Sequence, residues 1–312
     1  MTRLLVGCYT HPDGRGEGIS SVTASASASV VGRARSPSFL ALHPALPVVY
    51  AVEELAEGGL VTLRWEDGAL APLDARPALG AHPCHVAVSP AADWVATANF
   101  GDGTVSVFPL DRDGRPAAAA EVLRHPGAEP HCHQIVFHAG AMLVTDLGTD
   151  RVYRYVTEGG RWVAQSPAVV RAGSGPRHLV VDGPLRCVVG ECDVSVTTYR
   201  ERADGSWEEV GHVATTRSRD ACLPSHLVLH DGLLYVANRG PDTIATFSLD
   251  DGRPVLVSEI ETGGAWPRHF ALVDDTLVVA NERSHELTVL DLASGAVRRR
   301  VTSGSPTCVV PL

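Results

Sequence analysis

Residues 266–292 read WPRHFALVDDTLVVANERSHELTVLDL, and residues 223–249 read LPSHLVLHDGLLYVANRGPDTIATFSL. In each, a proline opens an apolar run, a turn follows, a second apolar run ends on an asparagine (Asn281, Asn238), and a third segment alternates apolar with polar residues. Alternation at period 2 sends successive side chains to opposite faces of a strand, so the unit is predicted to be a run of antiparallel strands. The same opening recurs at Pro37, Pro83, Pro130 and Pro176, about every 45 residues. The second runs end on Glu53, Asn99, Asp146, Glu191, Asn238 and Asn281, at a near-constant distance from each proline.

A seventh unit opens at Pro306 with SPTCVVPL, and the chain stops one strand later. The opening residues LLVGCYT and GEGISSVTAS have the pattern of the missing second and third strands, and SASVVGRAR that of a fourth. The step from Pro306 to Leu312 and on through Met1 to Cys8 equals the step from Pro267 to Asn281. Units of this length with four short strands are propeller blades. The expected fold is therefore an all-β, seven-bladed β-propeller forming a single domain over residues 1–312. Its last blade is closed by one C-terminal strand plus the N-terminal strands. The WD40 signature, Gly-His then Trp-Asp, is missing from every unit, and no double glycine recurs at a fixed place in the units as it does in kelch repeats.

Composition restricts the chemistry. All 26 basic residues are arginine, against 36 acidic ones. Without lysine there is no Schiff base and no P-loop amine, so acid and base work falls to His, Asp, Glu, Cys or Tyr. The net charge of -10 disfavours nucleic-acid and anionic-membrane partners, which need a basic face. The run Arg298-Arg299-Arg300 reads as a solvated outer edge. No apolar stretch reaches the roughly 20 residues that span a bilayer, and no signal-peptide pattern opens the chain. Seven cysteines without a CxxC pair suit a reducing compartment, so a cytoplasmic location is expected.

Antiparallel pairing brings the start of each first strand and the end of each second to one rim. After the prolines stand Ser38, Cys84, His131, Arg177, Ser225, Arg268 and Thr307; at the second-strand ends stand Glu53, Asn99, Asp146, Glu191, Asn238, Asn281 and Cys8. Two places after each proline come Phe39, His85, Cys132, His178, His226, His269 and Cys308. Four histidines repeated at one position read as a fold requirement, buried imidazoles bonded to a backbone carbonyl or to a neighbouring blade. His131, Arg177 and Arg268 break their column, and with Glu191 they would form an anion-binding site holding a titratable base. Each arginine, taken singly, is equally compatible with a salt bridge between blades. The HPCH and HCH clusters, at 82–85 and 131–133, do not complete a tetrahedral metal set, so no metal and no cofactor are expected. Gly14-Arg-Gly16-Glu-Gly18 reads as a hairpin turn, and no Gly-x-Ser-x-Gly elbow is present.

The opening GCYTHPDGRGEGI, HPCH with ANFGDGTVSVFPLD, EPHCHQ with TDLGTDRVYRY, GPRHLV, ANRGPDTIATF, and GGAWPRHFAL with VANERS together resemble the seven-bladed propeller lactonase family. That family includes propeller-type 6-phosphogluconolactonase and 3-carboxy-cis,cis-muconate lactonizing enzyme. The resemblance implies His131, Glu191, Arg177 and Arg268 as catalytic residues, the set isolated from the repeat. Arg239, Asp146, Asn238, Asn281 and Glu53 are candidate substrate-binding residues at the same rim. Arg177 and Arg268 would hold an anion, His131 would act as base, and Glu191 would orient it. The expected substrate is a small lactone carrying a carboxylate or phosphate, hydrolysed without metal by a monomer or weak homodimer. A lactonizing cyclase or isomerase and a non-catalytic binding propeller are the alternatives.

Overall fold

The computed structural model describes residues 2–23, 27–118 and 120–312, and no helix occurs among them. Seven antiparallel sheets follow one another. Their innermost strands are Leu40–Leu42 (blade 1), Pro83–Val88 (blade 2), Cys132–His138 (blade 3), Pro176–Asp182 (blade 4), Leu223–His230 (blade 5), Pro267–Val273 (blade 6) and Pro306–Pro311 (blade 7). Each packs against the innermost strands of the two blades beside it, closing a ring about an axis. In blade 7 the C-terminal strand pairs with Arg3–Cys8, from Leu4 opposite Pro311 to Cys8 opposite Pro306. Ile19–Thr23 and Ser29–Gly32 complete that sheet, as the sequence predicts.

There is no central core. The buried apolar residues form seven layers, one between each pair of adjacent blades. Strand Thr276–Asn281 shows why the second strands read as unbroken apolar runs. Leu277 and Val279 face the layer shared with blade 5, while Val278 and Ala280 face the layer shared with blade 7. A strand covered on both faces has no polar side. The outermost strands are half exposed; Val297–Thr302 carries the arginine run, with Arg298 paired to Asp275 and Asp291.

The inner column of histidines stitches neighbouring blades. His85 Nδ1 accepts the Ile135 amide of blade 3 at 3.5 Å, and His269 Nδ1 accepts the Val309 amide of blade 7 at 3.4 Å. In blade 3 the position is filled by Gln134, whose carbonyl oxygen accepts the Leu179 amide of blade 4 at 2.6 Å. The rings also meet across the axis: Phe39 of blade 1 and His85 of blade 2 lie 6.2 and 5.8 Å from His178 of blade 4. The channel is thus filled by side chains below the rim.

Burial and the nearby positive charges keep these imidazoles neutral. His85 and His269 are lowered to about 3, and His133, His178 and His226 lie well below the ordinary histidine value. Between that value, near 6.5, and about pH 3, the unfolded chain binds protons that the folded chain refuses. The stability contributed by neutral burial is complete above pH 6.5 and is lost as the pH falls, by up to about 1.4 kcal/mol per pH unit for each histidine. Replacing His85→Gln, the residue that blade 3 uses here, should flatten this dependence. Chemical denaturation at pH 7 and 4.5 measures it; an unchanged slope would acquit His85.

Candidate functional site

Strand pairing corrects the rim columns in two places. The opening proline sits opposite the last residue of the second strand in Pro83–Asn99, Pro267–Asn281 and Pro306–Cys8. In blade 3 that place belongs to Cys132, opposite Asp146, and not to Pro130. The tight turn at Ala139 and Gly140, both with positive φ, makes this hairpin shorter than that of blade 2, so equal numerical offsets do not mean equal positions. In blade 4 Pro176 pairs with Gly190, which puts Glu191 one residue beyond the strand end. Cross-rim amides fix the alignment: Tyr9, Glu54, Phe100, Leu147, Glu191 and Glu282 donate to the carbonyls of Ser305, Ser36, His82, His131, Gly175 and Trp266, at 2.9–3.1 Å.

His131 therefore lies just before its first strand, His133 takes the position shared by Arg177 and Arg268, and Gln134, not Cys132, joins the inner column. A column absent from the sequence reading, the residue after each second strand, faces the mouth: Tyr9, Glu54, Phe100, Leu147, Glu191, Arg239 and Glu282. Its signal was available, since a varied residue follows each regular strand end.

Four expected binding residues turn away from the mouth. Asp146 is sealed, accepting from the amides of His131, Gly148 and Thr149 and pairing with His125 Nδ1 at 2.6 Å. Asn238 bonds Thr215 O and Thr243 Oγ1, and Asn281 bonds Thr288 Oγ1. Glu53 accepts the amide and guanidinium of exposed Arg35. These polar side chains bond the turns and strands beside them, a local task that ties them to the scaffold; the Asn281 Oδ1 that remains without a hydrogen-bond partner is itself sealed from solvent.

The mouth holds two charged groups. In the first, Glu191 Oε2 stands 2.8 Å from Arg177 Nε and accepts Arg239 Nη2 at 2.6 Å. Arg177 also donates to the Ser225 carbonyl of blade 5, so it links blades by a hydrogen bond to backbone, while its own ion pair, with Glu191, stays within blade 4. Arg239 is anchored on Leu223 O and lies over Trp266, whose ring also carries exposed Arg283. Burial would raise Glu191, but Arg177 and Arg239 outweigh it and hold the carboxyl below its ordinary range. Burial and Arg239 lower Arg177 while leaving it charged. Arg177 Nη2 and Arg239 Nη1 make no protein hydrogen bond among the described residues.

In the second group, Arg268 donates to Tyr9 Oη at 2.6 Å and to Glu282 Oε2 at 3.3 Å, and Tyr9 donates to Glu54 Oε1 at 2.9 Å. Burial opposes the charge on Arg268, yet Tyr9, Glu54 and Glu282 overcome it and raise the guanidinium above its ordinary value. Burial likewise pushes the Tyr9 phenol up, so it stays protonated. The glycine-rich segment 14–18 is a turn, as expected, and it seats Tyr9: the Gly16 amide bonds Tyr9 O at 2.9 Å, and a Cβ on Gly14 would overlap that same carbonyl.

His131 is half-buried, stacked on Phe100 at 4.4 Å, with Nδ1 2.8 Å from Phe100 O. A carbonyl only accepts, so Nδ1 carries the proton and Nε2 presents a lone pair. Among the described residues no bond joins His131 to Glu191; the expected orienting role of Glu191 passes to the Phe100 carbonyl. The HPCH and HCH clusters gather no ligand set. Among the described residues, the one grouping with metal-donor proximity is His125, Cys132 and Asp146, three fully buried side chains already joined by hydrogen bonds. Burial raises the thiols of Cys84, Cys132 and Cys308, which makes them poor nucleophiles.

A family model described as "Lactonase, 7-bladed beta-propeller" matches residues 3–311. The chain is 26% identical to the 6-phosphogluconolactonase of Bacillus subtilis, over 93% of this chain and 92% of that one. Among solved structures, a Lactobacillus plantarum protein superposes with a TM-score of 0.90 at 29% identity, each chain fully covered. The periplasmic gluconolactonase of Pseudomonas aeruginosa gives 0.89 at 26%, covering 100% of this chain and 99% of that one.

Glu191 offsets two buried guanidiniums, and removing one partner of a buried pair commonly costs about 3–5 kcal/mol. Glu191→Gln should therefore destabilise the chain by several kcal/mol in chemical denaturation, whereas Arg283→Ala at the exposed lip should cost little. A loss below about 1 kcal/mol for Glu191→Gln would mean that the arginines are solvated without it.

Proposed function

We propose that this chain, which belongs to the seven-bladed β-propeller lactonase family, hydrolyses a small lactone bearing a phosphate or carboxylate, of the 6-phosphogluconolactone type. The observation that carries this reading is the pair of buried guanidiniums sharing Glu191 Oε2, with Arg177 Nη2 and Arg239 Nη1 left as donors at the mouth. Fixed donors in a dry rim bind an anion and stabilise the oxyanion formed when water attacks the carbonyl. The identity with a 6-phosphogluconolactonase supports the substrate class.

In the reaction His131 Nε2 takes a proton from water as the water oxygen bonds to the lactone carbonyl carbon. The negative charge gathers on the carbonyl oxygen, facing the arginine edges. As the tetrahedral species collapses, the ring C–O bond breaks and the imidazolium returns its proton to the departing alkoxide. Glu191 holds Arg177 and Arg239 in place, Arg268 stands on the neighbouring blade 6, and the chemistry needs no metal. The seven cysteines are free thiols and six are buried, which supports a reducing, cytoplasmic setting.

Incubation with 6-phosphogluconolactone, at a pH where spontaneous opening is slow, tests the reading; no acceleration over buffer overturns it. His131→Ala should lower kcat by about 10²-fold or more. An unchanged kcat would remove His131 from the mechanism.

A further inference from the structure

The two charged groups of the mouth are unequal. On the side of blades 4 and 5, Arg177 and Arg239 share one carboxylate, Glu191, leaving an excess of one positive charge. On the side of blades 6, 7 and 1, a single guanidinium, Arg268, faces Glu282 and Glu54, leaving an excess of one negative charge. Tyr9 adds no charge there, since it remains a phenol bonded between Arg268 and Glu54.

The free atoms differ as well. Glu54 Oε1 is taken by Tyr9, and its Oε2 is buried without a hydrogen-bond partner, 3.9 Å from Arg268 Nη2. Glu282 Oε2 is taken by Arg268, but Oε1 accepts no hydrogen bond among the described residues and is not sealed from solvent. One wall thus offers free cationic N–H donors, and the other offers a free carboxylate acceptor. A carboxylate oxygen binds hydroxyl donors well and repels a second anion.

We infer that Glu282 is a specificity-determining residue: its Oε1 accepts a hydroxyl of the lactone while Arg177 and Arg239 hold the substrate's single anionic group, and with Glu54 it excludes lactones carrying a second carboxylate on that side. This rests on the lactonase reading and deepens it. A site built to bond a hydroxyl discriminates against the analogue that lacks it, because the acceptor, cut off from water by the bound ligand, is then left unpaired. A second carboxylate would instead meet two glutamates around one arginine.

The test compares three lactones on the full chain: a phosphorylated aldonic-acid δ-lactone, a phosphoalkyl δ-lactone without ring hydroxyls, and a lactone bearing two carboxylates. The native chain should favour the first over the second by at least about tenfold in kcat/KM and should turn over the third poorly. Glu282→Ala should erase the preference, chiefly through KM for the hydroxylated lactone, with the deoxy lactone nearly unaffected. Glu282→Gln, which keeps an acceptor and removes the charge, should retain the hydroxyl preference and admit the dicarboxylate. Equal losses on the first two lactones in Glu282→Ala would show a merely structural role and overturn the inference. If that variant does not fold, the native chain decides: no preference between the first two lactones overturns it. Should the native chain open no lactone, the lactonase reading fails by itself. Calorimetry with the corresponding ring-opened acids then tests Glu282, and equal Kd for hydroxylated and deoxy acids overturns its role.

Discussion

The antiparallel pairing of Pro306–Pro311 with Arg3–Cys8 is the interaction on which everything else depends. Each apolar layer needs two blades, so seven layers exist only if the ring closes; an open array would leave one layer and two sheet edges in water. Closure also builds the site. Tyr9 immediately follows the strand held by this pairing, and its contact with Arg268 joins residues 259 positions apart. The charged wall of blades 6, 7 and 1 is assembled only when the ends of the chain meet.

Around the ring, most rim positions keep the blades together, and a few carry their charged groups into the mouth in their place. Ser225 donates to Pro267 O and Thr307 to Ser38 O, each reaching the next blade with a short side chain. Arg177 makes the same kind of link to Ser225 O and still keeps one guanidinium nitrogen for the mouth. Arg268 makes no such link; it turns to Tyr9 and Glu282. The site is thus a local departure from a structural rule, with stability supplied by neighbouring blades that still obey it.

Period and closure were legible in the sequence because they rest on strand alternation and on a proline that recurs. The histidine column was legible in kind, as stitching between blades, though the partner is an amide and not a carbonyl. Register was harder. The Pro130 unit is displaced by two residues and Glu191 by one, and only hairpin length reveals it: Gly183-Pro184 and Ala139-Gly140 are tight turns, whereas Ser89–Trp94 is a wider one. A shift of one residue in a strand reverses which face a side chain occupies. Asp146, Asn238, Asn281 and Glu53 do end or nearly end their second strands, but they turn toward the scaffold, and the next residue along, as at Tyr9, Glu54 and Glu282, takes the opposite face at the mouth. Glycines 14 and 16, read only as a turn, also set the position of Tyr9.

The filled axis gives the mouth the form of a cup. Phe39, His85 and His178 touch across the centre, so nothing the size of a sugar passes between the two faces of the disc. Whatever enters at the arginine rim must leave by the same door. In the proposed reaction the hydrolysed acid carries one more negative charge than the lactone, and the excess negative charge of Glu54 and Glu282 repels it. The wall that receives a neutral hydroxyl through Glu282 would thus oppose the product, so traffic through a blind vessel follows the change of charge that the reaction itself creates.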